Sequence, residues 1–435
     1  MNIPVVVLVG RPNVGKSALF NRLVGENTAI VSEEAGTARD RHFGRAEWNG
    51  RSFWLVDTGG LTDDPSIPMD VEIRRQVLQG VAEADLIMLV VDAKTGLHPH
   101  DARVVDILRD ARKPWMLVAN KVDDPRSTDF YEFYALGAGD PIPVSAVNGK
   151  GSGDLLDSLV EKFPPAVVEE TEALKVAVIG RPNVGKSSFV NRLLGEDRLV
   201  VAETAGTTRD AIDSPIMYHG RELIFIDTAG LRRQSKIDEG IEFYSSLRTR
   251  RAIERADICV LLIDAVEGLH NQDLKIATLA WESGRGLVIV VNKWDLKEKE
   301  DKTSAKFQKE AVEKAPYLRF VPFLFTSAKT GQRVQKVLEL IMQVEQERKK
   351  RISTSEVNQR LEELIARRQP PQAGGREVKL LYATQVEVGP PTFAVFGNHP
   401  ELVEEHYVRY LHNGFREAWG FTGTPLRILL RRKAA

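Results

Sequence analysis

Short apolar runs recur along the first four-fifths of this chain. The first set reads VVVLV, SFWLVD, LIMLVVD, PWMLVAN and PIPVS, and the second KVAVIG, ELIFID, ICVLLID, GLVIVVN and FVPFLFTS. Uninterrupted apolar runs of this length suit strands of a sheet covered on both faces. The amphipathic stretches between them, such as ARVVDILRDAR, read as helices. Strand and helix in alternation predict a doubly wound α/β domain whose site lies at the carboxyl ends of the strands. From about Ile352 the pattern changes to helix (EVNQRLEELIARR), strand (KLLYATQVEV), strand (TFAVFGN), helix (ELVEEHYVRYLHNGFREAW) and strand (LRILLRR). That order predicts a small α+β region with a three-stranded sheet, and the prolines in GPPTF and FTGTPL mark its turns.

The two sets of runs belong to one duplicated unit. Gly10, Gly36 and Asp57 recur as Gly180, Gly206 and Asp227, while Asn120 recurs as Asn292 and Ser145 as Ser327. The offset grows only in the last third of the repeat. The charged stretch LKEKEDKTSAKFQKEAVEK after Asp295 is therefore expected to be an extra helix of the second copy. The joining segment PPAVVEETEA, with two prolines and an acidic cluster, reads as a linker. The predicted boundaries are 1–164 for the first domain, 165–173 for the acidic linker, 174–350 for the second domain and 351–435 for the third.

Composition adds limits. The chain has 435 residues, and 60 Lys and Arg nearly balance 61 Asp and Glu, so the net charge of −1 hides any local asymmetry. The third region, from Lys350 to the end, carries a surplus of 4 positive charges. The sole cysteine, Cys259, lies in the run CVLLIDA, as an inert buried thiol in a reducing compartment would. No stretch reaches the ~18 apolar residues of a membrane span. The chain enters its first apolar run without a basic leader, and a cytoplasmic protein without membrane contact is expected.

The chemistry lies in the loops. GRPNVGKS occurs twice, as Gly10, Arg11, Pro12, Asn13, Val14, Gly15, Lys16 and Ser17, and as Gly180, Arg181, Pro182, Asn183, Val184, Gly185, Lys186 and Ser187. Both follow a predicted strand and fit G-x-x-x-x-G-K-[ST], whose backbone N–H groups cradle phosphates at a helix N-terminus. Lys16 and Lys186 should reach the β- and γ-phosphates, and the hydroxyls of Ser17 and Ser187 should meet Mg²⁺. A later strand ends in Asp57, Thr58, Gly59 and Gly60, and its repeat in Asp227, Thr228, Ala229 and Gly230. The aspartate can join the magnesium shell, and the N–H of Gly60 or Gly230 can sense the γ-phosphate. Asn120, Lys121, Val122 and Asp123, and Asn292, Lys293, Trp294 and Asp295, decide the base. A carboxylate accepts two hydrogen bonds from guanine's N1–H and exocyclic amine; adenine offers no such pair, so the wrong base strands a buried charge. Asp123 and Asp295 are the expected readers, the asparagines braces, and the lysines packing along the base. Ser145 with Ala146, and Ser327 with Ala328, are placed to touch the base, or are plain loop residues.

The complete set resembles the translation-factor-like GTPases, and within them the two-G-domain bacterial proteins of the TrmE-Era-EngA-like family. GRPNVGKS in both copies, AGTTRDAID in the second, and the closing block YATQV, PPTF and RYLHNGFREAWGFTGTPLRI carry that resemblance over essentially the whole chain. It implies two tandem P-loop GTPase domains followed by a KH-like domain. It also implies GTP or GDP at both sites, and a monomeric factor in assembly of the large (50S) ribosomal subunit and its rRNA. In that family the nucleotide state controls domain arrangement and ribosome binding. A metabolic enzyme using GTP, or a tRNA-modifying GTPase, is the competing class.

The family pattern assigns a switch threonine to the metal. Thr208 holds that place in the second copy, whereas the first has Ala38, so either Thr37 shifts into the role or water fills the gap. Leu61 and Leu231 stand where many GTPases carry a water-orienting glutamine. Asn13 and Asn183 match related enzymes activated by K⁺, which points to slow, potassium-stimulated hydrolysis, although the asparagines could simply shape the loop. A KH domain grips single-stranded RNA with a GXXG loop between two helices. Here GFTG (Gly420–Gly423) lies between a helix and a strand, which favours a structural turn. Arg409, Arg416 and the tail RILLRRK are candidate phosphate contacts, as is the basic second switch segment GLRRQSKIDEG.

Overall fold

The computed structural model describes residues 3–25, 43–59, 69–124, 126–163, 173–195, 200–201, 213–228, 242–297, 303–371 and 376–432. The chain divides into two compact units, Met1–Glu169 and Glu170–Ala435.

In the first unit the elements run β1 (Val5–Val9), α1 (Lys16–Gly25), β2 (Phe43–Trp48), β3 (Arg51–Asp57), α2 (Met69–Glu83), β4 (Leu86–Asp92), α3 (Pro99–Asp110), β5 (Trp115–Asn120), β6 (Ile142–Pro143) and α4 (Ser152–Glu161). The sheet order is β2-β3-β1-β4-β5-β6. All neighbours are parallel except β2 and β3. Val6, Leu8, Phe53, Leu55, Met88 and Val90 pack one face against Leu19, Leu155 and Leu159 of the flanking helices. Helix α3 starts where His98 and Asp101 cap it reciprocally and Pro99 supplies a preset first turn.

The second unit repeats this plan with β7 (Leu174–Ile179), α5 (Lys186–Leu194), β8 (Val200–Val201), β9 (Ser214–Tyr218), β10 (Arg221–Ile226), α6 (Glu242–Arg255), β11 (Ile258–Asp264), α7 (Asn271–Glu282), β12 (Gly286–Asn292), α8 (Thr303–Lys314), β13 (Phe323–Phe325) and α9 (Lys336–Lys349). Its sheet order is β13-β12-β11-β7-β10-β9-β8. Alternate residues of β7 enter opposite cores: Val176 and Val178 one, Ala177 and Ile179 the other. That two-sided burial is why the strands read as continuous apolar runs. Cys259 of β11 is buried, and burial pushes its thiol up to about 12. The charged insert forms α8, which buries Phe307 and Ala311 one turn apart, whereas the first copy has only a 3₁₀ stretch over Asp129–Leu136.

The third region follows within the same unit as α10 (Thr354–Arg367), β14 (Leu380–Glu387), β15 (Thr392–Gly397), α11 (Glu405–Trp419) and β16 (Arg427–Arg432). Its sheet is ordered β14-β15-β16, with β16 parallel to β15. Leu361, Leu364, Phe393, Tyr407, Leu411, Phe415 and Phe421 form its core. Of the predicted linker, only Ala173 is among the described residues. Among the described residues no helix is long and apolar enough to cross a membrane.

Candidate nucleotide sites

Each phosphate loop leaves the carboxyl end of a central strand and turns into a helix. Its glycines are obligatory. Gly10 has φ +148, and a Cβ there would lie 2.3 Å from the Val90 carbonyl oxygen; Gly180 meets Leu262 in the same way at 2.5 Å. Lys16 Nζ donates to the carbonyls of Gly10 (2.8 Å) and Arg11 (2.9 Å). Lys186 Nζ donates to Gly180 (2.8 Å) and Arg181 (2.6 Å). Both ammonium groups are buried, and desolvation lowers each to about 8. Asn13 and Asn183 adopt the left-handed conformation, with φ of 64 and 63. Asparagine tolerates that region better than most residues. Arg11 and Arg181 are held by the loop and helix that follow β4 and β11. Arg11 reaches Thr95 and Asp101; Arg181 pairs with Asp273 and Glu267, each at 2.9 Å.

Ser17 Oγ donates to Asp57 Oδ2 at 2.5 Å, and Asp57 Oδ1 accepts from the Gly59 N–H at 2.8 Å. Two hard oxygens thus converge at the foot of the loop. Among the described residues no cluster of three or more His, Cys, Asp or Glu could hold a metal unaided. The donor set fits Mg²⁺, which accepts one or two protein oxygens and takes the rest of its shell from phosphate and water. In the second copy Asp227 is held in the left-handed region (φ 57) while its N–H donates to Asp213 Oδ1 at 2.8 Å. Asp213 in turn pairs with Arg255, and Ser214 Oγ meets Thr228 Oγ1 at 2.7 Å. Sequence reading missed this clamp, although Asp213 closes the string AGTTRDAID.

The base loop is tied to the phosphate loop. Asn120 Nδ2 donates to the Val14 carbonyl at 2.9 Å, and its Oδ1 accepts from the Ala146 N–H at 3.1 Å. Asn292 repeats both bonds, to Val184 at 3.0 Å and from Ala328 at 2.9 Å. A side chain on Gly15 or Gly185 would strike these amides, at 2.4 and 2.5 Å. Lys121 Nζ bonds the Asn13 carbonyl and Asp92 Oδ2; Lys293 Nζ pairs with Asp264 Oδ2 at 2.6 Å. The register sets these aspartates directly across from the asparagines, Asp92 opposite Asn120 and Asp264 opposite Asn292. Neither aspartate was singled out from sequence, though the runs LIMLVVD and ICVLLID both end in one.

The two expected readers differ. Asp123 Oδ1 accepts from Ser145 Oγ (2.7 Å) and Asn148 Nδ2 (3.1 Å), and Oδ2 pairs with Lys94 Nζ at 2.6 Å. Lys94, then Ser145, holds the Asp123 carboxyl below the ordinary carboxylate range. Asp295 Oδ1 is buried with no hydrogen-bond partner among the described residues. Val122 and Trp294 are buried beneath the readers, and Ala146, Ser145, Ala328 and Ser327 are buried beside them. The expected switch and sensor positions Thr37, Ala38, Gly60, Leu61, Thr208, Ala229, Gly230 and Leu231, with the basic segment after Gly230, lie outside the described residues.

In the third region, the GFTG turn is committed to the neighbouring domain. Gly423 N–H donates to the Phe320 carbonyl, and the Gly423 carbonyl accepts from Leu287 of β12, both at 2.7 Å. Phe421 N–H donates to Glu347 of α9 at 2.8 Å. The turn is therefore closed to an RNA strand. Arg416 is likewise corrected as a phosphate contact. It is 4 % exposed, donates to the carbonyls of Phe421 and Thr424, and lies over the rings of Phe320 (4.3 Å) and Trp281 (5.3 Å). Burial lowers it to about 10. Arg409 pairs with Glu405 on the exposed face of α11; in the tail, Arg427 donates to the Glu282 carbonyl and Arg432 faces Glu401.

Residues 5–121 and 175–293 match the family model described as 50S ribosome-binding GTPase. Residues 351–431 match the KH-domain-like C-terminal domain of EngA bacterial GTPase enzymes. GTPase Der of Gemmatimonas aurantiaca is 71% identical over 434 residues, spanning 100% of both chains. GTPase Der of Pelotomaculum thermopropionicum is 51% identical, over 99% of this chain and 98% of the relative. Among solved structures, Era of Aquifex aeolicus is 19% identical, covering 61% of this chain and 94% of its own at a TM-score of 0.31.

Proposed function

Because the chain belongs to the GTPase Der family, and so is a GTP-binding GTPase, we propose that it holds guanine nucleotides at two sites and acts as a switch in assembly of the large ribosomal subunit. The observation that carries the two-site reading is the repeated strap from Asn120 to Val14 and from Asn292 to Val184. It joins a base-reading carboxylate to a phosphate loop in both copies.

The chain's own residues set the order of events. An arriving phosphate takes Lys16 from the Gly10 and Arg11 carbonyls, and its charge restores the full ammonium that burial has weakened. The helix N-termini of α1 and α5 favour the same anion. Ser17 with Asp57, and Ser187 with Asp227, would hold the magnesium, which when bound neutralises charge on the β- and γ-oxygens. Thr208, and at the first site Thr37 or water, would complete that shell, leaving the second switch the more sharply gated. Gly60 and Gly230 would report the γ-phosphate. With Leu61 and Leu231 unable to orient water, hydrolysis is slow, and K⁺ held beside Asn13 and Asn183 would offset charge developing on the phosphates. Asn13 is exposed, as such a role needs.

In this reading the protein is a cytoplasmic monomer, and its partner is the large subunit with its rRNA. The test is sucrose-gradient sedimentation of extract with GDP or with a non-hydrolysable GTP analogue. Co-migration with large subunits in the analogue alone is expected. Absence from ribosomal fractions in every nucleotide state would remove the proposal.

A further inference from the structure

We propose that Lys94 is an internal competitor for guanine at the first site, whereas the equivalent position of the second site is Val266. The inference rests on Asp123 and Asp295 being the guanine readers. Guanine presents two donors to one carboxylate, so every donor already seated on that carboxylate competes with it. At the first site the Lys94 ammonium lies on Asp123 Oδ2 at 2.6 Å, while Ser145 and Asn148 fill Oδ1. Neither charge is buried: the side chains are 60 % and 41 % exposed. Such a pair is weak enough for a base to displace, yet it must be broken first.

The second site has a valine at the equivalent position. The two turns are the same: Lys94 N–H donates to Asp92 Oδ1 at 3.0 Å, and Val266 N–H donates to Asp264 Oδ1 at 2.8 Å. Val266 therefore stands where Lys94 does, with its side chain 54 % exposed. Valine offers no donor to Asp295, whose Oδ1 has no partner among the described residues. The first site also supplies a second berth for the displaced ammonium. Lys94 borders an open groove of about 530 Å³ that Asp129 and Glu132 line. When guanine takes Asp123, the lysine has carboxylates within its swing.

Three consequences follow from competition. The first site binds guanine nucleotides less tightly than its other contacts allow. Its affinity falls less with added salt than it would without the lysine, because salt weakens the competitor as well as the phosphate contacts. Moving the lysine moves the effect.

The experiment titrates full-length chain with fluorescent GDP, in an Asp295→Asn background whose second site gives up guanine. Lys94→Val should tighten the first site by about two- to five-fold, the range of an exposed pair, and steepen its salt dependence. The reciprocal Val266→Lys, read at the second site in an Asp123→Asn background, should weaken GDP by a similar factor. Unchanged or weaker GDP binding by Lys94→Val, with the thermal midpoint and the preference for GDP over ADP intact, would overturn the competitor. Two full-strength GDP sites in the Asp295→Asn chain would instead overturn the guanine assignment beneath it.

Discussion

Phe421→Ala probes the seam between the third region and the second GTPase domain. The ring is fully buried, stands edge-on to Phe393 at 5.9 Å and to Trp419 at 6.4 Å, and lies 5.8 Å from the Lys350 ammonium. Truncating a phenylalanine in such a site costs about 3–5 kcal/mol. The backbone bonds of the turn, Phe421 N–H to Glu347 and Gly423 N–H to Phe320, do not need the ring, so the loss is one of packing. The residue also has φ of 58, and the left-handed region costs a non-glycine residue roughly 1–2 kcal/mol. Alanine keeps that strain and glycine removes it, against a backbone-entropy cost of roughly 0.5–1 kcal/mol. Phe421→Gly should therefore be no worse than Phe421→Ala, and better by up to about 1.5 kcal/mol. The assay is amide hydrogen exchange on the full chain, read at Leu287 and Gly423, with the β5 amides of the first unit as reference. A loss of about 3 kcal/mol raises exchange at those two amides roughly 100-fold while β5 stays unchanged. A rise below about 10-fold, or a glycine variant clearly worse than alanine, would refute the account of the seam.

Asp123→Asn and Asp295→Asn each replace an acceptor by a donor opposite guanine. Two charge-assisted bonds at about 1.5–3 kcal/mol each predict GDP binding weakened by about 10²–10⁴-fold at the altered site, with xanthosine diphosphate admitted there; equal ADP and GDP binding by the unmodified chain would defeat this. Lys16 and Lys186, lowered from 10.5 to about 8 by burial, penalise the nucleotide-free fold below pH 8, and that penalty fades as pH rises from about 8 towards 10.5. Phosphate binding needs the charged amine, so nucleotide affinity should fall above about pH 8 and binding there should take up protons, which calorimetry in buffers of different ionisation enthalpy will show or exclude. GTP hydrolysis should run faster in KCl than in NaCl at equal ionic strength; identical rates would leave Asn13 and Asn183 only their loop-shaping role.

Much of this architecture was written in local pattern. The apolar runs became strands because both sheet faces are covered, as β7 shows by sending Val176 and Ala177 into different cores. The phosphate loops and the N-K-x-D strings are contiguous, so their spacing alone located them. What escaped depends on partners distant in the chain. Asp92 matters because β5 brings Lys121 beside it, and a lone aspartate at a strand end carries no such mark. Asp213 acts on Asp227 across an antiparallel pair of strands. Arg416 looked like a phosphate contact on a helix shared with Arg409 until Trp281 and Phe320 closed over it. GFTG could be denied a second helix from sequence, but its docking on Leu287 needed the fold.

The asparagine strap makes each site a gauge of length. Because Asn120 bonds the carbonyl just before Gly15 and also the loop beside Asp123, the ends that grip phosphate and base cannot drift apart independently. A ligand is then judged by the span between its base and its phosphates as well as by either end. A guanine joined to phosphates through a flexible acyclic tether carries every recognised group, yet it must freeze its tether at one separation to satisfy both. The spacer between base and phosphates would thereby become a selected feature, the length the yoke is cut to fit.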